Sequence, residues 1–539
     1  MVIAMSAQLS VAINKFFMTA ASVGSDIAAA IRDTMLLFNV EPVGIWPAEA
    51  ALAELEADSL LLDCLVDSEA ENVYVTVTIS FRQPQGEPQS LTRRERRPLS
   101  QAGSSSGEDY TVLARRLVRL ALLVLMRRLP GSNPVPWGIL RGVRPGKIVH
   151  RLFDQGLAPS ELVDRLVAEY GLEPVKAELI TGIAAYQRSV ISDEQAAVRN
   201  KKVSIYIGIP YCPSRCLYCS FPSYVLPERR EDLDAFLRAI KRDIENAAQL
   251  INNFNLSVES IYMGGGTPTS LPAADLSSLL ALIDSEIRNA GTKEFTVEAG
   301  RPDSIDQEKI AVLRQYQINR VSINPQTMQD KTLKQIGRRH TAQDIIDTFD
   351  KIRHANIPLI NMDVIAGLPG ETEADMEDTM GQIAAINPDN VTIHTLALKR
   401  GSLLKEALTT GMLSGSALPN EEITKQMLMI GQDYMTKMNM HPYYLYRQKY
   451  MTGNLENIGY AKPAADCLYN IQIMEERQTI IGIGPAAGTK AVSANPWRLQ
   501  SSYNAKDVSA YVRNLDTYLN GRNTLLSKLY SDRKEDLLC

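Results

Sequence analysis

The sequence predicts an α/β protein built on a parallel sheet, either open or curled into a barrel, and two observations carry that expectation. From residue 203 onward, short apolar runs with strand character alternate with helical stretches of about 20 to 30 residues, the spacing of repeated βαβ units. The chemically distinctive residues then recur just past the ends of those runs, where a (β/α) architecture carries its chemistry. With 539 residues the chain is too long for one ordinary core. Changes in texture divide it into residues 1–195, an α+β accessory domain; 196–400, the βαβ core; and 401–539, a mainly helical cap or substrate domain.

The accessory domain opens with an amphipathic helical pattern and continues into "NVYVTVTISF" (72–81). Val73, Val75, Val77, Ile79 and Phe81 alternate there with polar residues, the period of a strand with one buried face. "RQPQGEPQSLTRRERRPLSQAGSSSGED" (82–109) is polar and rich in Pro, Gly and Ser, and reads as an exposed loop. A helix follows over 109–129, with Arg115, Arg116, Arg119, Arg127 and Arg128 around a Leu/Val stripe; these arginines read as a solvated face in preference to an RNA site. The loop "NPVPWGILRGVRPGKIVH" (133–150) combines Trp137 with Arg141, Arg144 and Lys147, before two helical patterns running to about 190.

Six strand-like runs define the core: "VSIYIGI" (203–209), "SIYMGGG" (260–266), "FTVEAG" (295–300), "RVSINPQ" (320–326), "LINMDVIAG" (359–367) and "NVTIHTL" (390–396). Beyond residue 400 the alternation fades into a helix over 419–438, the aromatic run "HPYYLYRQKYMTGNLENIGYA" (441–461), a glycine-rich "IIGIGPAAGTK" (480–490) and terminal helices.

"YIGIPYCPSRCLYCSF" (206–221) sets Cys212, Cys216 and Cys219 in a C-x3-C-x2-C array. Three soft ligands on one loop point to a metal or an iron–sulfur cluster. Disulfides fit less well, since three is odd and Cys64, Cys467 and Cys539 are scattered. A structural zinc site would be closed by a fourth Cys or His, whereas Ser220 follows Cys219 and the nearest histidines are His150 and His340. Three ligands around a four-iron cluster would instead leave one iron open to a small molecule. A reducing, cytoplasmic setting is therefore expected. No stretch reaches the run of about 20 apolar residues of a membrane span, and the N-terminus has no basic residue before Lys15, unlike a signal peptide. A net charge of -5 argues against bulk affinity for nucleic acid.

The cysteine spacing, with Tyr218 before the third Cys at the mouth of six parallel strands, resembles the radical S-adenosylmethionine superfamily. The resemblance implies a partial (β/α)6 TIM-like barrel, a [4Fe–4S] cluster on Cys212, Cys216 and Cys219, and S-adenosyl-L-methionine chelated to the open iron. One electron then cleaves the sulfonium to methionine and a 5′-deoxyadenosyl radical. By the same resemblance Gly264, Gly265, Gly266 and Thr267 let the backbone approach the methionine amino group, and Glu298 bonds the ribose hydroxyls or the ammonium. The resemblance also implies that Tyr206 and Tyr218, and by the match to a narrower family Gln326, Arg338 and Asp363, lie around the same cosubstrate.

"GGGTP", "SINPQTM", "IGRRHT", "DVIAGLPGET" and the tail "YNIQIMEERQTIIGIG" are similar to the oxygen-independent coproporphyrinogen III oxidase (coproporphyrinogen dehydrogenase) family, in its HemZ-type branch. That implies oxidative decarboxylation of two propionates of coproporphyrinogen III to vinyl groups, giving protoporphyrinogen IX, with a reducing electron donor and an electron acceptor as partners. Two positions depart from the family pattern: Gly208 stands where a His is found, and Phe221 where a further Cys is found. Relatives without that Cys include haem-carrying chaperones, and a radical tRNA-modifying enzyme is a third reading. For the tetrapyrrole propionates the candidate cations are Arg447, among Tyr443, Tyr444, Tyr446 and Tyr450, and Arg141 and Arg144; the alternative for Arg447 is a domain seam. His340, His354, His394 and His441 read as structural.

Overall fold

The computed structural model describes residues 15–19, 25–47, 50–56, 59–69, 72–82, 87–99, 109–129, 135–142, 144–191, 201–494 and 497–531. They form two compact units: Met1–Gly182 with Arg447–Lys449, and Ile183–Tyr446 with Tyr450–Cys539.

The first unit carries a five-stranded sheet of β1 (Lys15–Met18), β2 (Glu41–Ile45), β3 (Ser59–Glu69), β4 (Asn72–Phe81) and β5 (Gln89–Pro98), ordered β2-β1-β3-β4-β5. β4 forms where the alternation predicts it, with Val73, Val75, Val77, Ile79 and Phe81 buried. β5 is a correction, because it lies within the segment expected to be a loop. Its "SLTRRERR" lacks apolar alternation because it is an edge strand, paired with β4 and charged along its length, which guards the open edge. Thr78 with Thr92 and Ser80 with Ser90 are cross-strand hydroxyl pairs that tie it in.

Helix Tyr110–Met126 packs against β4 and β5 through its Leu/Val stripe. Its arginines are not simply a solvated face. Arg116 pairs with Glu169, Arg119 lies 3.5 Å from Asp33, and Arg127 donates to the carbonyls of Val135 and Gly171. The helical start expected at the N-terminus is found as Ser25–Met35, after β1; residues 1–14 lie outside the described residues. Three further helices occur rather than two, Pro145–Asp154, Pro159–Tyr170 and Pro174–Val190, each opened by a proline whose missing N–H costs nothing there.

The second unit is organised on an eleven-stranded sheet. Its centre is β6 (Lys202–Ile209), β7 (Ser257–Gly265), β8 (Glu294–Glu298), β9 (Arg320–Ser322), β10 (Leu359–Ala366) and β11 (Asn390–Thr395), parallel and in sequential order at the six positions read from the sequence. Between them run helices such as Arg230–Asn253, Ala273–Glu286 and Glu373–Ile386. Helix Ala273–Glu286 buries Leu276, Leu279, Leu280 and Ile283, each worth about 1.5 to 3 kcal/mol of transfer free energy. Thr341 with Asp344, and Thr372 with Asp375, form capping boxes that start two others.

The barrel is partial because its end strands pair outward. β12 (His441–Tyr446) and β13 (Asn457–Ala461) extend the sheet beyond β11, while β14 (Thr479–Ile483), β15 (Gly488–Ala494) and β16 (Trp497–Tyr503) extend it beyond β6. The region after residue 400 is thus helix-rich but also contributes five strands to the core sheet, and it belongs to the same compact unit as the βαβ segment. The first compact unit ends at Gly182, inside helix Pro174–Val190. No helix among the described residues is long and apolar enough to cross a membrane.

Candidate functional site

The cysteine loop leaves β6 at Pro210 and is closed at its base by Cys212 N–H to Tyr224 O and Tyr224 N–H to Pro210 O, both 2.8 Å. Leu217 N–H donates to Ile336 O at 3.0 Å, anchoring the loop's centre. Cys216 is buried, and Cys212 and Cys219 are half-buried. Burial pushes the Cys212 thiol up to about 11; a hydrogen bond with Thr267 opposes this, and the charges of Cys216 and Cys219 add to it. The three sulfurs are therefore electrostatic neighbours. Among the described residues no three His, Cys, Asp or Glu converge as a single metal ion requires. A cluster asks less, since each thiolate takes a different iron.

The glycine motif closes β7 beside this loop. Gly266 N–H donates to Ile209 O at 2.6 Å and Thr267 N–H to Tyr211 O at 2.7 Å, so the ends of β6 and β7 are laced together. Gly265 has φ 104°, a conformation that L side chains rarely adopt, and a Cβ at Gly266 would meet Tyr211 O at 2.6 Å. Thr267 Oγ1 lies 3.5 Å from Cys212 Sγ, which joins the two motifs.

Most of the polar candidates lie on or just past neighbouring strands of the sheet. Tyr206 on β6 pairs in register with Tyr262 on β7, their rings 6.4 Å apart, and Tyr262 donates a 2.6 Å hydrogen bond to Glu298 at the end of β8. Burial pushes the Glu298 carboxyl up to about 7; the Tyr262 hydrogen bond works against this, and the charge of Asp363 reinforces it. Asp363 on β10 accepts from Asn361 at 2.9 Å and faces His394 Nε2 at 3.6 Å. Burial would raise its pKa, but His394 and these hydrogen bonds hold it below the ordinary carboxylate value. Gln326, with φ 70°, bridges to β10 by donating its N–H to Asp363 O at 2.8 Å and accepting from Ile365 N–H at 2.9 Å. Arg338 is buried and donates to Gly300 O, Asn324 O and, at 3.0 Å, Tyr218 Oη. Tyr218 thereby connects the cysteine loop to the ends of β8 and β9.

Tyr206, Tyr262, Glu298, Asp363 and His394 are half-buried on strands whose other residues are mostly buried. Tyr262, Tyr469 and His394 stand outside the site residues that the sequence singles out. Tyr262 repeats the phase of Tyr206 in "SIYMGGG", a signal that could have found it; its ring lies 4.6 Å from that of Tyr469. His394 has more than a packing role, with its Nδ1 3.0 Å from Tyr446 Oη on β12.

The three candidate substrate cations belong to the first unit, and the polar set belongs to the second. Arg447 is 4% exposed, with its guanidinium 4.8 Å over the Trp137 ring and an N–H to Leu140 O. Arg141 pairs with Asp33 at 3.6 Å, and Arg144 is the N-cap residue of helix Pro145–Asp154.

Residues 206–383 match the family model for the radical SAM superfamily. Over 398 residues the chain is 36% identical to the oxygen-independent coproporphyrinogen-III oxidase-like protein HemZ of Bacillus subtilis, covering 73% of this chain and 77% of that one. The chain belongs to this family. Radical SAM proteins of this kind use a [4Fe–4S] cluster and S-adenosylmethionine. Three neighbouring thiols on one loop fit the former, since a four-iron cluster held by three cysteines keeps one iron open. The heme chaperone HemW of B. subtilis is 28% identical, over 54% of this chain and 73% of its own length. Coproporphyrinogen III oxidase (HemN) of Escherichia coli, a radical SAM enzyme, superposes with a TM-score of 0.48 at 20% identity, covering 62% of this chain and 72% of that one.

Proposed function

We propose that this family member carries out oxygen-independent oxidative decarboxylation of coproporphyrinogen III, turning two propionates into vinyl groups. The observation that carries this reading is the set of polar side chains beside the cysteine and glycine motifs, with Tyr262 hydrogen-bonded to Glu298, the charge of Asp363 felt at Glu298 and Asp363 facing His394, which is more machinery than holding a ligand needs. When bound, the cluster and S-adenosylmethionine supply an electron and a hydrogen-abstracting radical. The chain's residues do the rest. Cys212, Cys216 and Cys219 hold the irons, and the glycine motif lets backbone polar groups approach the cosubstrate's methionine. Glu298 takes its ribose hydroxyls or ammonium, with Tyr206, Tyr218, Gln326, Arg338 and Asp363 lining the remainder and keeping water away. An external reductant and an electron acceptor complete the balance.

A haem-carrying role is the second reading, supported by the similarity to a heme chaperone and by Phe221, 64% exposed, in place of a further Cys. Anaerobic incubation with coproporphyrinogen III, reductant and S-adenosylmethionine, followed by mass spectrometry, separates them. Loss of two carbon dioxide units with release of 5′-deoxyadenosine is expected. Tight haem binding with neither product would establish the carrier.

A further inference from the structure

The structure assigns Arg301 as a positioning residue that sets the reduction potential of the cluster held by Cys216. The proposal rests on the family's use of these thiols and adds a residue outside every motif described above. Arg301 is 3% exposed, and its guanidinium is used from every side. Nη1 lies 3.4 Å from Cys216 Sγ and donates to Ser214 O at 3.3 Å, while Nη2 donates to Ser214 Oγ at 2.8 Å. From behind, Asp303 accepts from Nε at 3.2 Å and from Nη2 at 3.3 Å, a two-point clamp that fixes the plane of the fork. His340, 5% exposed, stands 3.7 Å beyond Asp303.

The sequence places this arginine with little freedom. It follows β8 as Glu298-Ala-Gly-Arg301, and Pro302–Ser304 then turns at once into a short 3-10 helix that carries Asp303 back onto its neighbour. Ser304 Oγ closes the turn by donating to Arg301 O at 2.7 Å. The donor is therefore preorganised from the chain's side, and the sulfur is the atom it is aimed at.

The consequence is electrostatic. Adding one electron from an external reductant makes the thiolate–iron group more negative, so an N–H donor and the positive end of a fixed guanidinium at the sulfur favour the reduced form. Asp303 cancels part of the charge at long range. It does not cancel the local effect, because Asp303 engages Nε and Nη2 while the donor at the sulfur is Nη1, 3.4 Å away. Arg301 thus makes the cluster easier to reduce while also bracing the loop through Ser214.

The test is an EPR-monitored redox titration of anaerobically reconstituted full-length protein, with iron content measured alongside. Arg301→Met should keep the irons and lower the midpoint potential, by about tenfold in the reduction equilibrium, or 59 mV for a one-electron couple. Ser214→Ala, which removes a brace but not the donor, should leave the potential unchanged. A wild-type potential in Arg301→Met at full iron content overturns the proposal. If that variant fails to hold irons, Arg301→Lys carries the test: it keeps the charge without the fork and should show a smaller fall, and an unchanged potential overturns the proposal. Wild type without a cluster would overturn the cysteine assignment itself, a result distinguishable from a loaded variant with an unmoved potential.

Discussion

Tyr262 and Glu298 share a 2.6 Å hydrogen bond across the ends of β7 and β8, and this contact limits how far burial can neutralise the carboxyl. With its pKa pushed up to about 7, Glu298 changes charge within the working range. If its ionised form accepts hydrogen bonds from the cosubstrate, S-adenosylmethionine binding should strengthen as pH rises through about 7. Tyr262→Phe removes the interaction that lowers the pKa, so the same rise should move to higher pH; Glu298→Gln should flatten it. Calorimetric titration between pH 6 and 8 reads all three. Stability runs the other way. A folded pKa raised above the unfolded 4.5 means that Glu298's contribution is fully present below 4.5 and is lost as pH rises through about 7. The wild-type melting temperature should therefore fall relative to Glu298→Gln across that window.

Cys216 is the buried thiol of the three, and its removal should be the least tolerated by the cluster. Cys216→Ala is expected to fall from about four irons per chain to fewer than one, with the brown chromophore lost and the far-ultraviolet circular dichroism retained. Stoichiometric zinc in the wild type, with no chromophore, would refute the assignment.

Gly208, one of the two expected departures from the family pattern, has a structural reason to be glycine. A Cβ there would meet Pro485 O at 2.8 Å, and a Cβ on Gly484, whose φ is 90°, would in turn run into Gly208 O. The two glycines let β6 and the end of β14 approach closely. Gly208→His should cost about 1 to 3 kcal/mol through overpacking rather than restore a lost function. A melting temperature unchanged from wild type would show that the Pro485 loop gives way freely.

The parallel strands were legible because each pairs an apolar run with a helix-length gap, and Cys212, Cys216 and Cys219 because their spacing is itself the signal. What escaped was decided by pairing. β5 reads as a polar loop until β4 supplies its ladder, and β12 to β16 look like a separate cap until β6 and β11 are seen to have open edges. Among site residues, Arg301 lies in no motif, and its meaning comes from the 3.4 Å approach to Cys216 Sγ. His394 is one histidine on a strand, and only Asp363 and Tyr446 on either side give it a role.

Arg447 tests the difference between a charge that is present and a charge that is available. As a propionate clamp it would have to offer its guanidinium outward, yet that group lies over Trp137, a residue with no exposed surface, and donates to Leu140 O. Arg447→Ala should remove a desolvated cation–π contact worth about 2 kcal/mol and leave the carbonyl with one donor fewer, for a loss of about 2 to 4 kcal/mol from the first unit. Urea unfolding followed by Trp fluorescence should show the lower midpoint. The KM for porphyrinogen should stay within about twofold of wild type, since uniform binding is untouched when a residue serves packing alone. A raised KM with unchanged stability would return Arg447 to the substrate.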